Sequence, residues 1–355
     1  MRRQTKKIRI GTVTIGGNSP IAIQSMISTP SFDIEASVNQ AVKLKKAGCD
    51  ILRIAIPDMH SIKLIDAIKN VVDIPLVADI HFDYKLALEA AAAGVDKIRI
   101  NPGNIGSEDR IKQVADTCRI RDIPIRIGVN SGSVEHHLLK KYGRPTAEAM
   151  AESALYNASL LEKFDFSDIV ISIKASDIHR TVDACRVVAS QCNYPLHLGV
   201  TEAGTEKVGI VKSAIGIGTL LLDGIGDTIR VTLTADPLKE VEAGINILKA
   251  LNLRGSGLTF VSCPTCGRTR INLIKIAQEA EKLLKNVEGN LKIAIMGCAV
   301  NGPGEARDAD IGIAGSDGMG FIFKKGKIVK KVYEKDLVRE LVKEVRAMVK
   351  HNKNS

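Results

Sequence analysis

Short β-branched runs alternating with helical patterns predict an α/β protein, a (β/α)8 TIM barrel followed by a small α/β domain. Three observations carry this reading. Eight such runs fall within residues 21–250, and eight strand–helix units in about 230 residues match a closed barrel of parallel strands. No glycine-rich dinucleotide loop follows the first run, which separates the pattern from the runner-up, a doubly wound open sheet. A second series of runs begins after the turn Arg254-Gly255-Ser256-Gly257. The expected domains are therefore a substrate-binding barrel, 1–253, and a smaller unit, 254–355.

The barrel runs are 21–26, 51–56, 75–80, 97–101, 124–129, 169–174, 195–200 and 228–233, with helical stretches such as 35–47, 84–93 and 237–250 between them. Ala47-Gly48 and Ala93-Gly94 place glycine where a helix C-terminus needs it. The second unit reads strand 258–262, helix 271–284, strand 291–297, short strands 311–314, 320–324 and 328–332, then a terminal helix.

Composition narrows the function classes. In 355 residues, 45% apolar and 25% charged, there is no collagen-like, low-complexity or mostly disordered signature. The longest apolar stretch, 214–222, ends at Asp223, far short of the roughly 18 residues a membrane helix needs. The basic start Met1-Arg2-Arg3 leads into no apolar signal region, so no membrane association and a cytoplasmic location are expected. The net charge is +10, and the last 35 residues hold 11 Lys and Arg against four acids. With no Trp, 5 Tyr and 7 Phe, the stacking half of a nucleic-acid surface is missing. The basic segment reads either as a solvated helix face or as a dock for an acidic partner. Seven cysteines without an export signal read as reduced thiols, some of them metal ligands.

Four barrel runs share the tripeptide apolar-Arg-apolar: Leu52-Arg53-Ile54, Ile98-Arg99-Ile100, Ile125-Arg126-Ile127 and Ile229-Arg230-Val231. Strand side chains alternate faces, and the apolar set must meet the helices, so these arginines point into the barrel. Lys174 ends the sixth run. The nearest acids expected inside are Asp79 and Glu202, too few to neutralise the cations. The excess predicts an anionic ligand with more than one phosphate at the C-terminal mouth, against a purely structural ion-pair core. His81, beside Asp79, reads equally as a structural or a functional histidine. Glu202, in Thr201-Glu202-Ala203-Gly204, is a candidate acid/base or hydroxyl-binding carboxylate.

Cys263-Pro264-Thr265-Cys266 follows a strand, and Cys298 follows another. Zinc would want a fourth Cys or a His, and His351 in the tail is the one histidine of this domain. A cubane iron–sulfur cluster accepts three thiolates and a weaker fourth ligand, for which Glu305 stands in the Gly- and Pro-rich loop 298–305. Chemistry favours the cluster, with zinc as the alternative. Asn301 in the same loop could reach a substrate. Cys49, Cys118, Cys185 and Cys192 lie in or beside helical stretches and read as packing residues.

Several stretches, in order, resemble a known family: Ile23-Gln24-Ser25-Met26, Asp79-Ile80-His81-Phe82-Asp83, Arg99-Ile100-Asn101-Pro102-Gly103-Asn104, Arg126-Ile127-Gly128-Val129-Asn130, Leu198-Gly199-Val200-Thr201-Glu202, and Ser262-Cys263-Pro264-Thr265-Cys266-Gly267-Arg268 with the loop 298–305. Across essentially its whole length the chain is similar to the bacterial 4-hydroxy-3-methylbut-2-enyl diphosphate synthases of non-mevalonate isoprenoid biosynthesis. The resemblance implies two-electron reductive opening of 2-C-methyl-D-erythritol 2,4-cyclodiphosphate with loss of a hydroxyl as water. It implies that Cys263, Cys266, Cys298 and Glu305 ligate a 4Fe-4S cluster, with Glu305 yielding its iron to substrate. Arg53, Arg99, Arg126, Lys174 and Arg230 would hold the diphosphate, with Asn130, Thr232 and Asn301 in support. Glu202 would handle a proton or a hydroxyl, and Asp79 and His81 would stand behind the site. Thr232 occupies a position where many relatives have Ser. A homodimer and reduced flavodoxin or ferredoxin as electron donor are implied as partners. A zinc-stabilised polyanion-binding module, or another iron–sulfur barrel enzyme acting on a phosphorylated polyol, would share parts of this pattern.

Overall fold

Near-continuous runs of Ile, Val and Leu can be buried on both faces only if helices cover one of them, and that is how the first unit is built. The structure, a computed structural model, describes residues 2–254, 257–285, 287, 289–298 and 307–353. The chain divides into two compact units, Met1–Arg254 and Gly255–Ser355.

The first unit opens with a hairpin of β1 (Ile8–Ile10) and β2 (Val13–Ile15). The barrel strands follow: β3 (Ala22–Met26), β4 (Ile51–Ala55), β5 (Leu76–Asp79), β6 (Lys97–Ile100), β7 (Ile125–Asn130), β8 (Ile169–Lys174), β9 (His197–Leu198) and β10 (Thr228–Ile229). Their order in the sheet is β8-β7-β6-β5-β4-β3-β10-β9, all parallel. A parallel bridge from Ile171 to Leu196 joins the two ends and closes the ring. The TIM-barrel reading holds, with the last two strands shorter than their apolar runs.

The helices are α1 (Ile34–Lys46), α2 (Lys63–Lys69), α3 (Tyr84–Ala92), α4 (Pro102–Ile105), α5 (Glu108–Ile120), α6 (His136–Tyr142) and α7 (Ala147–Glu162). They continue with α8 (Ile178–Gln191), α9 (Glu206–Leu222) and α10 (Pro237–Ala250). Several mouth loops end in an aspartate that caps the next helix. Asp33, Asp83, Asp177 and Asp236 accept from the amides of Ala36, Lys85, Arg180 and Leu238 at 2.7–3.0 Å. Gly48 and Gly94 take φ of +94° and +84°, as the helix ends require.

Between strands and helices lies the main core, which includes Ile54, Ile98, Ile125 and Ile127, all fully buried. A second apolar cluster of Ile8, Ile10, Ile15, Ala22, Ile51, Val77 and Val170 packs the hairpin beneath the barrel floor. The hairpin was not expected, because three-residue strands are too short to register as periodicity. No described helix is long and apolar enough to cross a membrane.

The second unit is a five-stranded sheet of β11 (Thr259–Ser262), β12 (Lys292–Met296), β13 (Ile311–Ser316), β14 (Met319–Lys324) and β15 (Lys327–Tyr333), in that order. The first three strands are parallel and the last two antiparallel. Helices α11 (Leu273–Leu284) and α12 (Leu337–Lys353) share a core with the sheet through Leu273, Ile276, Leu341 and Val345 against Ile293, Ile295 and Ile313. A smaller cluster of Ala294, Met296, Ala314 and Phe323 has Val261 and Cys263 packed against it.

Candidate active site

Alternation along β6 and β7 turns Ile98, Ile100, Ile125 and Ile127 toward the helices, and the residues between them turn inward. Arg99 and Arg126 are paired neighbours in the sheet, 8% and 2% exposed. The expected arginine layer is present. Arg53 Nη2 meets Asp79 Oδ2 at 2.5 Å, and Arg99 Nη1 meets Asp79 Oδ1 at 3.1 Å. Burial alone would raise the Asp79 carboxyl, but Arg53 and Arg99 outweigh it and hold it down at about 2. Asp79 is thus the brace of two arginines. His81 is exposed, its Nε2 3.8 Å from Asp79 Oδ2.

Arg230 has a different partner. Its Nε and Nη2 lie 3.4 Å from Glu240 Oε2, and Glu240 Oε1 accepts the Leu233 amide at 3.0 Å. Glu240 is buried, so the second interior acid is this residue of α10 and not Glu202. Glu202 is exposed in the loop after β9 and takes φ of +52°, a strained backbone for a non-glycine residue. Asn130 ends β7 in register with Lys174, and Thr232 follows β10, half-buried.

Sequence reasoning missed three further inward groups. Lys97 precedes Arg99 by two residues and shares its face; it is fully buried. His197 and Gln24 are likewise buried. Extending the arginine alternation by two residues would have found Lys97, whereas Glu240 on a helix carries no such signal.

Among the described residues, Arg53, Lys97, Arg99, Arg126, Lys174 and Arg230 face two ion-paired carboxylates, Asp79 and Glu240. Arg126 Nε and Nη1 and Lys97 Nζ are buried without a hydrogen-bond partner. Burial, then Arg53 and Arg99, push the Arg126 value well down. A guanidinium does not surrender its proton in a protein, so this direction expresses an unmet demand for an anion. Glycines let the cations lie across neighbouring strands. A Cβ on Gly128 would stand 2.7 Å from Arg99 Nη2, and one on Gly199 would stand 2.6 Å from Lys174 Nζ.

In the second unit, β11 and β12 are parallel neighbours, so Cys263 and Cys298 leave the same edge of the sheet. The Gly297 amide donates to Cys263 Sγ at 3.1 Å. Cys266 is exposed, and hydrogen bonds from the Arg268 amide, then from the Arg268 and Thr269 side chains, lower its thiol. By contrast, burial pushes Cys49, Cys118 and Cys185 up to about 12. Cys266 is thus separated physically from the packing cysteines. Among the described residues, no three His, Cys, Asp or Glu side chains gather tightly enough for a single metal ion. Asn301 and Glu305 lie outside the described residues.

The GcpE TIM-barrel domain matches residues 5–245, and the GcpE protein C-terminal domain matches 259–347. The chain belongs to the GcpE family. A relative from Ruminiclostridium cellulolyticum, a 4-hydroxy-3-methylbut-2-en-1-yl diphosphate synthase (flavodoxin), is 56% identical over 347 residues, covering 98% of each chain. A synthase of the same name from Fusobacterium nucleatum is 52% identical over 354 residues, covering 100% of both. Among solved structures, the dihydropteroate synthase of Stenotrophomonas maltophilia covers 70% of this chain and 97% of its own, with a TM-score of 0.52 at 14% identity. The 3-dehydroquinate dehydratase of Geobacillus kaustophilus covers 70% and 99%, with a TM-score of 0.52 at 14% identity. These two likenesses concern the barrel fold alone.

Proposed function

We propose that this GcpE-family protein is a 4-hydroxy-3-methylbut-2-en-1-yl diphosphate synthase, opening 2-C-methyl-D-erythritol 2,4-cyclodiphosphate by two-electron reduction. The carrying observation is Arg126: a buried guanidinium with two unpartnered nitrogens and, among the described residues, no carboxylate in ion-pairing distance. A cyclic diphosphate supplies the missing negative charge in a shape that several guanidinium forks can grip. The step balances with two electrons and one proton: the ring C–O bond to phosphate breaks and leaves the phosphate oxygen anionic, the neighbouring C–OH bond breaks, a C=C bond forms between the two carbons, and the departing hydroxyl takes the proton and leaves as water.

Each inward residue has a part. Arg99, Arg126, Lys174 and Arg230 bind the phosphates, with Arg53 completing the ring of cations. Asp79 and Glu240 hold Arg53, Arg99 and Arg230 in place before substrate arrives, so little ordering remains to be done on binding. Asn130, Thr232 and Asn301 orient the polyol, and Glu202 handles a proton or a hydroxyl from its strained loop. His81 and Asp79 stand behind this shell.

The donor set of the second unit fits an iron–sulfur cluster. The Cys266 thiol is lowered and the Cys263 sulfur accepts a hydrogen bond from the Gly297 amide, and among the described residues these thiols do not gather around a single-ion site. Cys263, Cys266, Cys298 and Glu305 would hold a 4Fe-4S cluster, which supplies single electrons and an exchangeable iron position. We assign reduced flavodoxin as the donor, with ferredoxin as a substitute, a homodimer as the working form and the cytoplasm as the location. Exposed Lys343 and Lys350 on α12, with Lys335 in the turn before it, present positive charge suited to an acidic donor.

Anaerobic turnover of the cyclic diphosphate with an artificial reductant tests the reading. Release of the linear allylic diphosphate with one water per two electrons is expected. A brown protein that reduces some other phosphorylated polyol, and leaves this one untouched, would overturn it.

A further inference from the structure

Lys174 poses a problem that its neighbours do not. Arg53 and Arg99 share Asp79, and Arg230 has Glu240, but Lys174 has no carboxylate within ion-pairing distance among the described residues. It is 8% exposed, and the charges facing it are Arg53, Arg99, Arg126 and Arg230. An ammonium so placed is expected to lose its proton or to swing toward water.

Two residues on β9 and its extension counter this. Lys174 Nζ lies 3.3 Å from His197 Nε2, and His197 Nδ1 lies 2.8 Å from Thr228 Oγ1. An ammonium offers only donors, so Nε2 must accept, and the ring proton then sits on Nδ1, donating to the threonine hydroxyl. His197 is fully buried. Burial, then Arg126 and Lys174, drive its own protonation down, so the ring stays neutral and able to accept. Two residues on, Gly199 leaves the space Lys174 Nζ occupies: a Cβ there would stand 2.6 Å from it.

We propose that His197, locked by Thr228 and flanked by the bare backbone of Gly199, is a positioning residue that seats Lys174 as a charged phosphate ligand. The inference rests on the reading that Lys174 binds the diphosphate. His197 itself is not placed against substrate, and its effect passes through one hydrogen bond. The motif His197-Leu198-Gly199 therefore acts as a unit, with Leu198 turned into the core.

The test is calorimetric binding of the cyclic diphosphate to the whole protein under anaerobic conditions, across pH, for wild type, His197→Leu, His197→Gln and Lys174→Met. Without an acceptor, His197→Leu should bind about tenfold to a hundredfold more weakly, the range for one charge-assisted hydrogen bond. Its alkaline limit of binding should move to lower pH, because Arg53, Arg99, Arg126 and Arg230 still oppose the charge on Lys174. Glutamine, which keeps an acceptor oxygen, should recover most of the affinity. In a Lys174→Met background the leucine change should add nothing. Wild-type affinity in His197→Leu, or an undiminished loss in the double variant, overturns the proposal. Crystal structures of wild type and His197→Leu read the seat itself whatever the substrate: Lys174 Nζ still lying over Gly199 in the variant overturns it, while failure of wild type to bind the cyclic diphosphate would instead remove the functional reading.

Discussion

In the barrel unit the reactive-site groups are enclosed by strands, with Arg53, Arg99 and Arg230 held by carboxylates; in the second unit the thiols sit at or just after strand ends, Cys266 exposed, Cys263 half-buried and Cys298 buried. Asp79 fastens two arginines at once, whereas Cys266 depends on local amide and side-chain donors of its own loop. Removing a barrel group should therefore disturb the fold and the chemistry together. Removing the exposed Cys266 thiol should disturb the chemistry alone. The difference follows from burial, since an unpaired charge is costly inside and cheap outside.

The largest effect expected is Cys266→Ser. It should abolish turnover and deplete bound iron while leaving the melting temperature of the iron-free protein unchanged. Cys185→Ala serves as the contrast: it should keep iron and activity and lower stability by about 1–2 kcal/mol through lost packing. Iron analysis, thermal melts and turnover on both variants check the pair. Retained iron in Cys266→Ser would break the division between ligand and packing thiols.

Next in size is Asp79→Asn, which leaves Arg53 and Arg99 without their charge partner inside the barrel. A loss of about 3–5 kcal/mol at neutral pH is expected for breaking such a buried network. The pH dependence has a definite sign. The folded carboxyl lies near 2, below its ordinary 3.8, so its stabilisation is complete above about pH 4 and is lost as pH falls through 2. The gap between wild type and variant in urea melts should therefore narrow from pH 5 toward pH 2. A gap that stays constant over that range would show that Asp79 contributes packing and not charge.

Much of this was legible in the sequence, for reasons that can be named. The apolar-Arg-apolar tripeptides are informative because strand alternation forces a choice of face, and only one choice lets Ile98 and Ile125 meet helices. The thiols of Cys263, Cys266 and Cys298 stand out because all three follow apolar strand runs. Three features were not legible. The hairpin of β1 and β2 is too short for a period, and Glu240 belongs to a helix whose first turn ordinarily attracts acids for the dipole alone. His197 carries no sequence signal of its own; only its distances to Lys174 and Thr228 give it a part. In each case tertiary proximity, and not local pattern, carries the meaning.

The smallest change expected in the fold is also the most diagnostic. Arg126→Met removes a charge that has no ion-pair partner among the described residues and keeps a side chain of similar reach. Replacing buried charge with apolar volume is often neutral or stabilising by about 1–4 kcal/mol, so the substrate-free variant should melt no lower than wild type, and higher if Met packs well. Binding should move the other way, weakening about tenfold to a hundredfold for the loss of one guanidinium contact to phosphate. Calorimetry with the cyclic diphosphate, set beside thermal melts of the same samples, reads both directions. Opposite signs mean that Arg126 is held inside the barrel for its ligand at a cost to the empty protein, as sites strained for function are. A fall in both would mean that Arg126 holds the barrel together instead, and the contrast between the two units would reduce to depth of burial.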